Sequence, residues 1–159
     1  MGIYKERKRG LWVENILFVC TGNTCRSPMA AELFKHLNNS DQLNVQSAGV
    51  FAADGSDASK FAKEALEEKG IACEHSSALL SKEHIEWASI ILTMTNSHKQ
   101  SVIDSFPHAG RKTYTLPEYV GYNGGDILDP FGGSLEMYRL TRDDLEDLIK
   151  KLLEKIKSK

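Results

Sequence analysis

Residues 15–27 read Asn15-Ile16-Leu17-Phe18-Val19-Cys20-Thr21-Gly22-Asn23-Thr24-Cys25-Arg26-Ser27. The first six form a short apolar run rich in strand formers. Thr-Gly-Asn follows at once, so the run reads as a buried strand that ends in a turn. Pro28 stands where a first helical turn tolerates proline, and residues 29–37 (MAAELFKHL) have helical propensity and spacing. Strand, tight turn and helix thus follow in quick succession. Such a turn aims several backbone N–H groups inward, and the helix adds its own free donors and dipole. Together they make a cradle for an anion, phosphate above all.

The rest of the chain repeats the alternation. Residues 43–47 are a second strand candidate, closed by Ala48-Gly49; Asp57 is placed to cap a helix running through Lys69, and Gly70 to stop it. Residues 81–88 read as a short helix and 89–94 (SIILTM) as a third strand. Thr95 caps the next helix, which Pro107 ends, and residues 112–116 make a fourth strand. After a glycine-rich stretch, residues 135–156 form a long amphipathic helix with Leu145, Leu148, Ile149, Leu152 and Ile156 on one face. Strands alternating with helices imply right-handed crossovers. The fold class is therefore α/β, one three-layer domain with a four-stranded, mainly parallel sheet and helices on both faces. Such sheets bind ligands beyond the carboxyl ends of their strands, which is where the loop opening at Cys20 lies.

Length and charge narrow the functional classes. A chain of 159 residues suits one domain, and no apolar run approaches the roughly 20 residues needed to cross a membrane. Twenty basic against 22 acidic residues leave a net charge of −2, so no global field favours nucleic acid. Three cysteines (Cys20, Cys25, Cys73) are too few for a disulfide framework and favour a reducing, cytoplasmic compartment. The basic residues of segment 1–14 are not followed by the apolar stretch of a secretory signal, and Glu6 stands where a myristoylation site needs Ser or Thr. The segment reads as a solvated basic tail ahead of a domain over 15–159. His36, His84, His98 and His108 show no metal-ligand spacing, so neither metal nor cofactor is expected.

Within the loop each residue type has a chemical use. Gly22 is expected to supply the backbone angles the turn demands. Arg26 offers a planar, permanently charged fork to two phosphate oxygens. Cys20, at the loop's start, would face the phosphorus, and the donors that hold phosphate also favour a thiolate there. Ser27 can add a hydroxyl hydrogen bond to the sulfur. Taken singly, two small cysteines in a strand–helix turn are unremarkable in any protein; the preceding strand, the glycine and the Arg-Ser-Pro opening of a helix make the set chemical.

Residues 19–30 (VCTGNTCRSPMA), Ser47-Ala48-Gly49 and Asp129-Pro130-Phe131-Gly132-Gly133 resemble the corresponding motifs of low-molecular-weight protein tyrosine phosphatases, and within them most closely the bacterial protein arginine phosphatases. The resemblance runs from about residue 15 to the end. It implies that Cys20 is the nucleophile forming a phosphocysteine, that Arg26 clamps the transferred phosphoryl group, and that Asp129 protonates the leaving group and then activates water. It further implies that Thr21, Gly22, Asn23, Thr24, Cys25, Arg26 and Ser27 make the phosphate loop, supported by Asn23, Ser47 and His75. Alone, Asp129-Pro130 would read as a turn before a helix.

Thr24 discriminates between substrates. Tyrosine-selective relatives usually carry a branched apolar residue there, which packs on a phenol; threonine presents a hydroxyl that can meet a guanidinium N–H. The Asp129 carboxylate can hold the same group. Phe131-Gly132 also stands where many tyrosine-selective members carry paired tyrosines. The expectation is a monomeric phosphatase acting on arginine-phosphorylated proteins, with phosphotyrosine as the alternative substrate. An arsenate reductase would need a downstream cysteine pair, and residues 92–96 contain none. A reading of another class is a redox or phosphate-binding sensor, in which Cys25 captures an oxidised Cys20 as a reversible disulfide. Cys73 is expected to be buried structure, and Tyr114, Tyr119 and Tyr122 to lie near the pocket rim.

Overall fold

In the computed structural model, residues 6–8 and 11–157 are described, with side chains from Glu14 onward. Within the segment expected as a tail, strand β1 (Glu6–Lys8) pairs antiparallel with the first residues of strand β2 (Leu11–Cys20). The rest of the expectation for residues 1–5 and 9–10 lies outside the described residues. Helix α1 (Arg26–Leu37) follows the loop, and then come strand β3 (Leu43–Gly49), helix α2 (Lys60–Glu67), helix α3 (Lys82–Trp87) and strand β4 (Ile90–Thr93). Helix α4 (Asn96–Ser105), a 3-10 segment (Pro107–Lys112), strand β5 (Thr113–Thr115), the short helix α5 (Leu116–Tyr119) and helix α6 (Leu135–Lys157) complete the chain.

The four parallel strands lie in the order β3, β2, β4, β5. Period-two alternation sorts the β2 side chains between two cores. Ile16, Phe18 and Cys20 pack with Met29, Leu33 and Phe34 of α1, Leu66 of α2 and Leu145, Ile149 and Leu152 of α6. Leu17 and Val19 face the other way, against Ile85, Ala88, Ile91, Val102 and Ala109. Ile16 through Val19 are fully buried, as a strand covered on both faces must be. A phenylalanine as enclosed as Phe18 holds about 3–5 kcal/mol against truncation. Because β3 lies on one side of β2 and β4 on the other, the chain switches direction at β2. The crevice beyond its carboxyl end is the loop that begins at Cys20.

The expected elements are all present, with three local differences. Helix α2 starts after Ser59, not Asp57: the Asp57 carboxylate is taken by the Ala58 N–H (2.9 Å) and by Lys63 Nζ (2.8 Å), and Ser59 O accepts the first helical bond from Lys63. Its end at Glu67 is followed by Gly70 in the left-handed region (φ +75°). The fourth strand stops at Thr115, because Thr115 and Glu118 form a reciprocal cap that opens α5. Cys73 is half-buried against the first core, and burial together with nearby Glu32 and Asp57 pushes its thiol up to about 11, so it is a poor nucleophile. Arg139 and then Arg142, both on α6, hydrogen-bond Glu68 just past α2 and pull its carboxyl down to about 2.

Candidate active site

Cys20, Thr21, Gly22, Thr24, Cys25, Arg26, Asp129 and Phe131 line one cavity of about 220 Å³ at the end of β2. Three backbone bonds hold the loop to its neighbours: Val50 N to Cys20 O, Phe51 N to Thr21 O and Ser59 N to Thr24 O, each 2.9 Å. Helix α1 has no side-chain cap at Cys25 and no acidic residue in its first turn. The first turn of the helix closes with Met29 N donating to Cys25 O (3.1 Å), and Pro28 has no N–H to satisfy. The amides of Arg26 and Ser27 therefore stand at the positive end of the helix, ready for an anion.

The supporting residues converge on Asn23. It is fully buried and adopts φ +57°, a left-handed conformation that asparagine tolerates better than most residues. Its Nδ2 donates to Ser27 Oγ (2.8 Å) and Ser47 Oγ (2.9 Å), its Oδ1 accepts from Ala78 N (3.0 Å), and its carbonyl accepts from His75 Nε2 (2.6 Å). Since Ser27 Oγ accepts from Asn23, its own hydrogen is free for Cys20 Sγ, 2.9 Å away. The structure thus brings Ser47 and His75 together on Asn23, beneath the loop.

Gly22 does not supply the special backbone angles of the turn. Its φ is not positive, and a Cβ there would meet nothing nearer than Thr24 Oγ1 at 3.7 Å. The special conformation falls to Asn23, whose side-chain hydrogen bonds hold it there. The indispensable glycine is Gly49, at the end of β3: a Cβ on it would collide with the Thr21 carbonyl oxygen and stand 2.8 Å from Ala52 Cβ and 3.0 Å from Asn23 N. Gly49→Ala is expected to displace the loop and weaken binding of inorganic phosphate at least about tenfold, since several N–H contacts of about 1 kcal/mol each lose their aim. Calorimetric titration measures the loss, and a thermal melt separates it from unfolding.

Arg26 is 5% exposed and is held from behind: its Nη1 donates to Ile127 O (3.0 Å). Its Nη2 lies 3.5 Å from Asp129 Oδ2, across the cavity mouth. Asp129 is half exposed, and its Oδ1 accepts from Phe131 N (3.0 Å), a turn that fixes the carboxylate over the pocket. Phe131, 74% exposed, forms the rim. Ile127 N in turn donates to Met94 O and Asp126 accepts from Asn96 N, so the segment carrying Asp129 is pinned to the end of β4. Cys25 faces the core beneath the loop, its thiol 3.4 Å from Ser59 Oγ and 3.3 Å from Tyr138 Oη. Burial and that thiol raise the Tyr138 phenol to about 12.

Tyr114, Tyr119 and Tyr122 are not at this rim. Tyr119 is buried against Tyr114 and beneath Lys155, while Tyr122 lines a separate cavity with Pro117 and Lys151. Sequence reasoning missed Ile127 and His98. The His98 Nε2 lies 2.7 Å from Thr21 Oγ1. No spacing in the chain marks either, because their relation to the loop exists only once β4 lies beside β2. Among the described residues no group of three or more His, Cys, Asp or Glu side chains could hold a metal ion.

A family model for the low molecular weight phosphotyrosine protein phosphatases matches residues 15–159. The chain is 54% identical over 143 residues to a protein-arginine-phosphatase of Geobacillus stearothermophilus, covering 90% of this chain and 96% of that protein. The solved structure of YwlE arginine phosphatase from the same organism superposes with a TM-score of 0.88, covering 91% of this chain and 94% of the other. A serine-for-cysteine variant of YwlE arginine phosphatase with a phosphorylated active-site serine superposes at 0.87, with 48% identity, covering 90% of this chain and 95% of the other.

Proposed function

The chain belongs to the low molecular weight phosphotyrosine protein phosphatase family, and from that premise we propose that it hydrolyses phosphoarginine in proteins through a phosphocysteine on Cys20. The observation that carries the substrate is the Thr24 hydroxyl. It lines the cavity, and its one hydrogen-bond contact among the described residues is to Cys25 Sγ at 3.9 Å, too weak to occupy it. A guanidinium N–H can use it; a phenol ring would leave it unpaired, at about 1–3 kcal/mol. Asp129 adds a carboxylate already within 3.5 Å of one guanidinium, that of Arg26.

The residues support a two-step displacement. The Cys20 sulfur attacks phosphorus while Arg26 and the loop amides hold the equatorial oxygens, where charge spreads in a loose transition state. The N–P bond breaks as Asp129 gives its proton to the departing guanidine nitrogen, which is far too basic to leave as an anion. The Asp129 carboxylate then takes a proton from water as its oxygen bonds to phosphorus and the S–P bond breaks; inorganic phosphate is released, and the Ser27 hydrogen bond receives the thiolate as it leaves. Arg26 and the amides supply the positive charge, so this reading includes no cofactor. It places a monomer in the cytoplasm, acting on arginine-phosphorylated proteins. Among the described residues no helix is long and apolar enough to cross a membrane.

Thr24→Ile separates this reading from a phosphotyrosine-selective one. The variant is expected to lose about tenfold in kcat/KM on a phosphoarginine peptide and to gain on a phosphotyrosine peptide. An unchanged preference in the variant would remove Thr24 from substrate selection, and equal rates of wild type on both peptides would overturn the phosphoarginine preference.

The position of Cys25, one end of the loop whose other end is Cys20, favours redox protection as a second property. Peroxide converts the Cys20 thiolate to a sulfenic acid; attack by the Cys25 thiol releases water and leaves a disulfide. The Cys25 thiol, buried beneath the loop, makes only long contacts to Ser59 and Tyr138, weak hydrogen bonds to give up. Dithiothreitol is expected to restore peroxide-treated wild type but not Cys25→Ser, with recovered activity as the readout.

A further inference from the structure

His98 sits in the first turn of α4, where its amide donates to Thr95 Oγ1 (3.1 Å), and it is 6% exposed. Its ring spans two environments. Nε2 lies 2.7 Å from the hydroxyl of Thr21, the residue that follows Cys20 in the phosphate loop. Nδ1 is buried and has no hydrogen-bond partner among the described residues. Only one tautomer suits this arrangement. A proton on Nδ1 would bury an N–H with no acceptor, whereas a bare lone pair there is more easily tolerated. Burial first, and then the Arg26 charge, outweigh Asp129 and Asp126 and hold the ring's pKa down to about 4. The ring thus carries one proton, on Nε2, throughout the neutral range.

A ring that donates to Thr21 Oγ1 fills an oxygen lone pair and forces the hydroxyl hydrogen to point elsewhere. Thr21 lines the cavity, its backbone is fixed by Phe51 N, and its hydroxyl has no second partner among the described residues. We propose that His98 is a positioning residue of the phosphate pocket, which turns the Thr21 hydroxyl into a donor to a bound phosphoryl oxygen. The inference rests on the phosphatase reading for its purpose but on phosphate binding for its test. It adds one side-chain donor to a cradle otherwise made of amides and Arg26, and it ties the cradle to α4, next to the β4 end that pins the Asp129 segment.

Calorimetric titration with inorganic phosphate tests it, using wild type, His98→Phe, His98→Gln, Thr21→Val and the Thr21→Val/His98→Phe double variant. Removing the donor in His98→Phe is expected to weaken phosphate about tenfold, and glutamine, whose Nε2 reaches the same place, to restore affinity to within about threefold. His98→Phe should add nothing on top of Thr21→Val. Unchanged affinity in His98→Phe, failure of the glutamine rescue in a protein that still melts normally, or additive losses would each overturn the proposal. Nitrogen NMR of the wild-type imidazole is independent of any variant's folding: it is expected to show Nε2 protonated and Nδ1 bare, and the opposite tautomer overturns the proposal outright. Wild-type hydrolysis of a phosphoarginine peptide, measured beside these, reports on the substrate reading alone.

Discussion

Serine in place of Cys20 is expected to lower turnover of phosphoarginine and aryl phosphates alike by about four orders of magnitude or more, the range found when a covalent nucleophile is removed. The loss is chemical rather than structural. Cys20 is 3% exposed at the end of β2, and a serine hydroxyl there is small enough to keep the contact with Ser27 Oγ, now 2.9 Å from the sulfur. What serine cannot do is ionise: the loop amides and the helix dipole are far too weak to hold an alkoxide at neutral pH. Steady-state rates on both substrate classes, with a thermal melt close to wild type, check the expectation. A variant retaining a tenth of the activity would remove the phosphocysteine from the mechanism.

Asp129→Asn is expected to be nearly as severe on phosphoarginine and milder in a way that reveals its role. Asparagine keeps an oxygen for the Phe131 amide, which Asp129 Oδ1 now accepts at 3.0 Å, so the turn over the pocket should persist. It has no proton to give. Loss of general acid catalysis costs typically about 10²–10⁴, and a guanidine leaving group needs the proton more than most. A dinitrophenyl phosphate, whose acidic phenol leaves unaided, should still phosphorylate Cys20 in a rapid burst and then stall, because the base for the second step is missing as well. Rapid-mixing kinetics on the two substrates read this difference. Near-normal phosphoarginine turnover would move the acid to another residue.

Both expectations come from residues legible in the chain, and so does most of the architecture. An unbroken apolar run reads as a strand buried on both faces, and Ile16 to Val19 are so buried. Helix ends were less legible wherever two polar residues competed for one amide. Asp57 looks like a cap, but its carboxylate is spent on Ala58 and Lys63, and the helix waits for Ser59. Gly22 looks like the hinge of the loop, because glycine is the residue that most easily takes a positive φ. In the fold Asn23 takes it, held by four hydrogen bonds, three of them to Ser47, His75 and Ala78, far away in sequence.

Sequence by itself determined the contiguous part of the site, the strand, turn and helix that place Cys20, the loop amides and Arg26 together, because neighbours along a chain have no choice about being close. Only the tertiary structure decided what surrounds that loop. Packing β3 and β4 on either side of β2 brings Gly49 against the Thr21 carbonyl, His98 against the Thr21 hydroxyl, and Ile127, 101 residues from Arg26, behind its guanidinium. Contacts of that kind follow from strand order and register, which no local pattern of residues encodes.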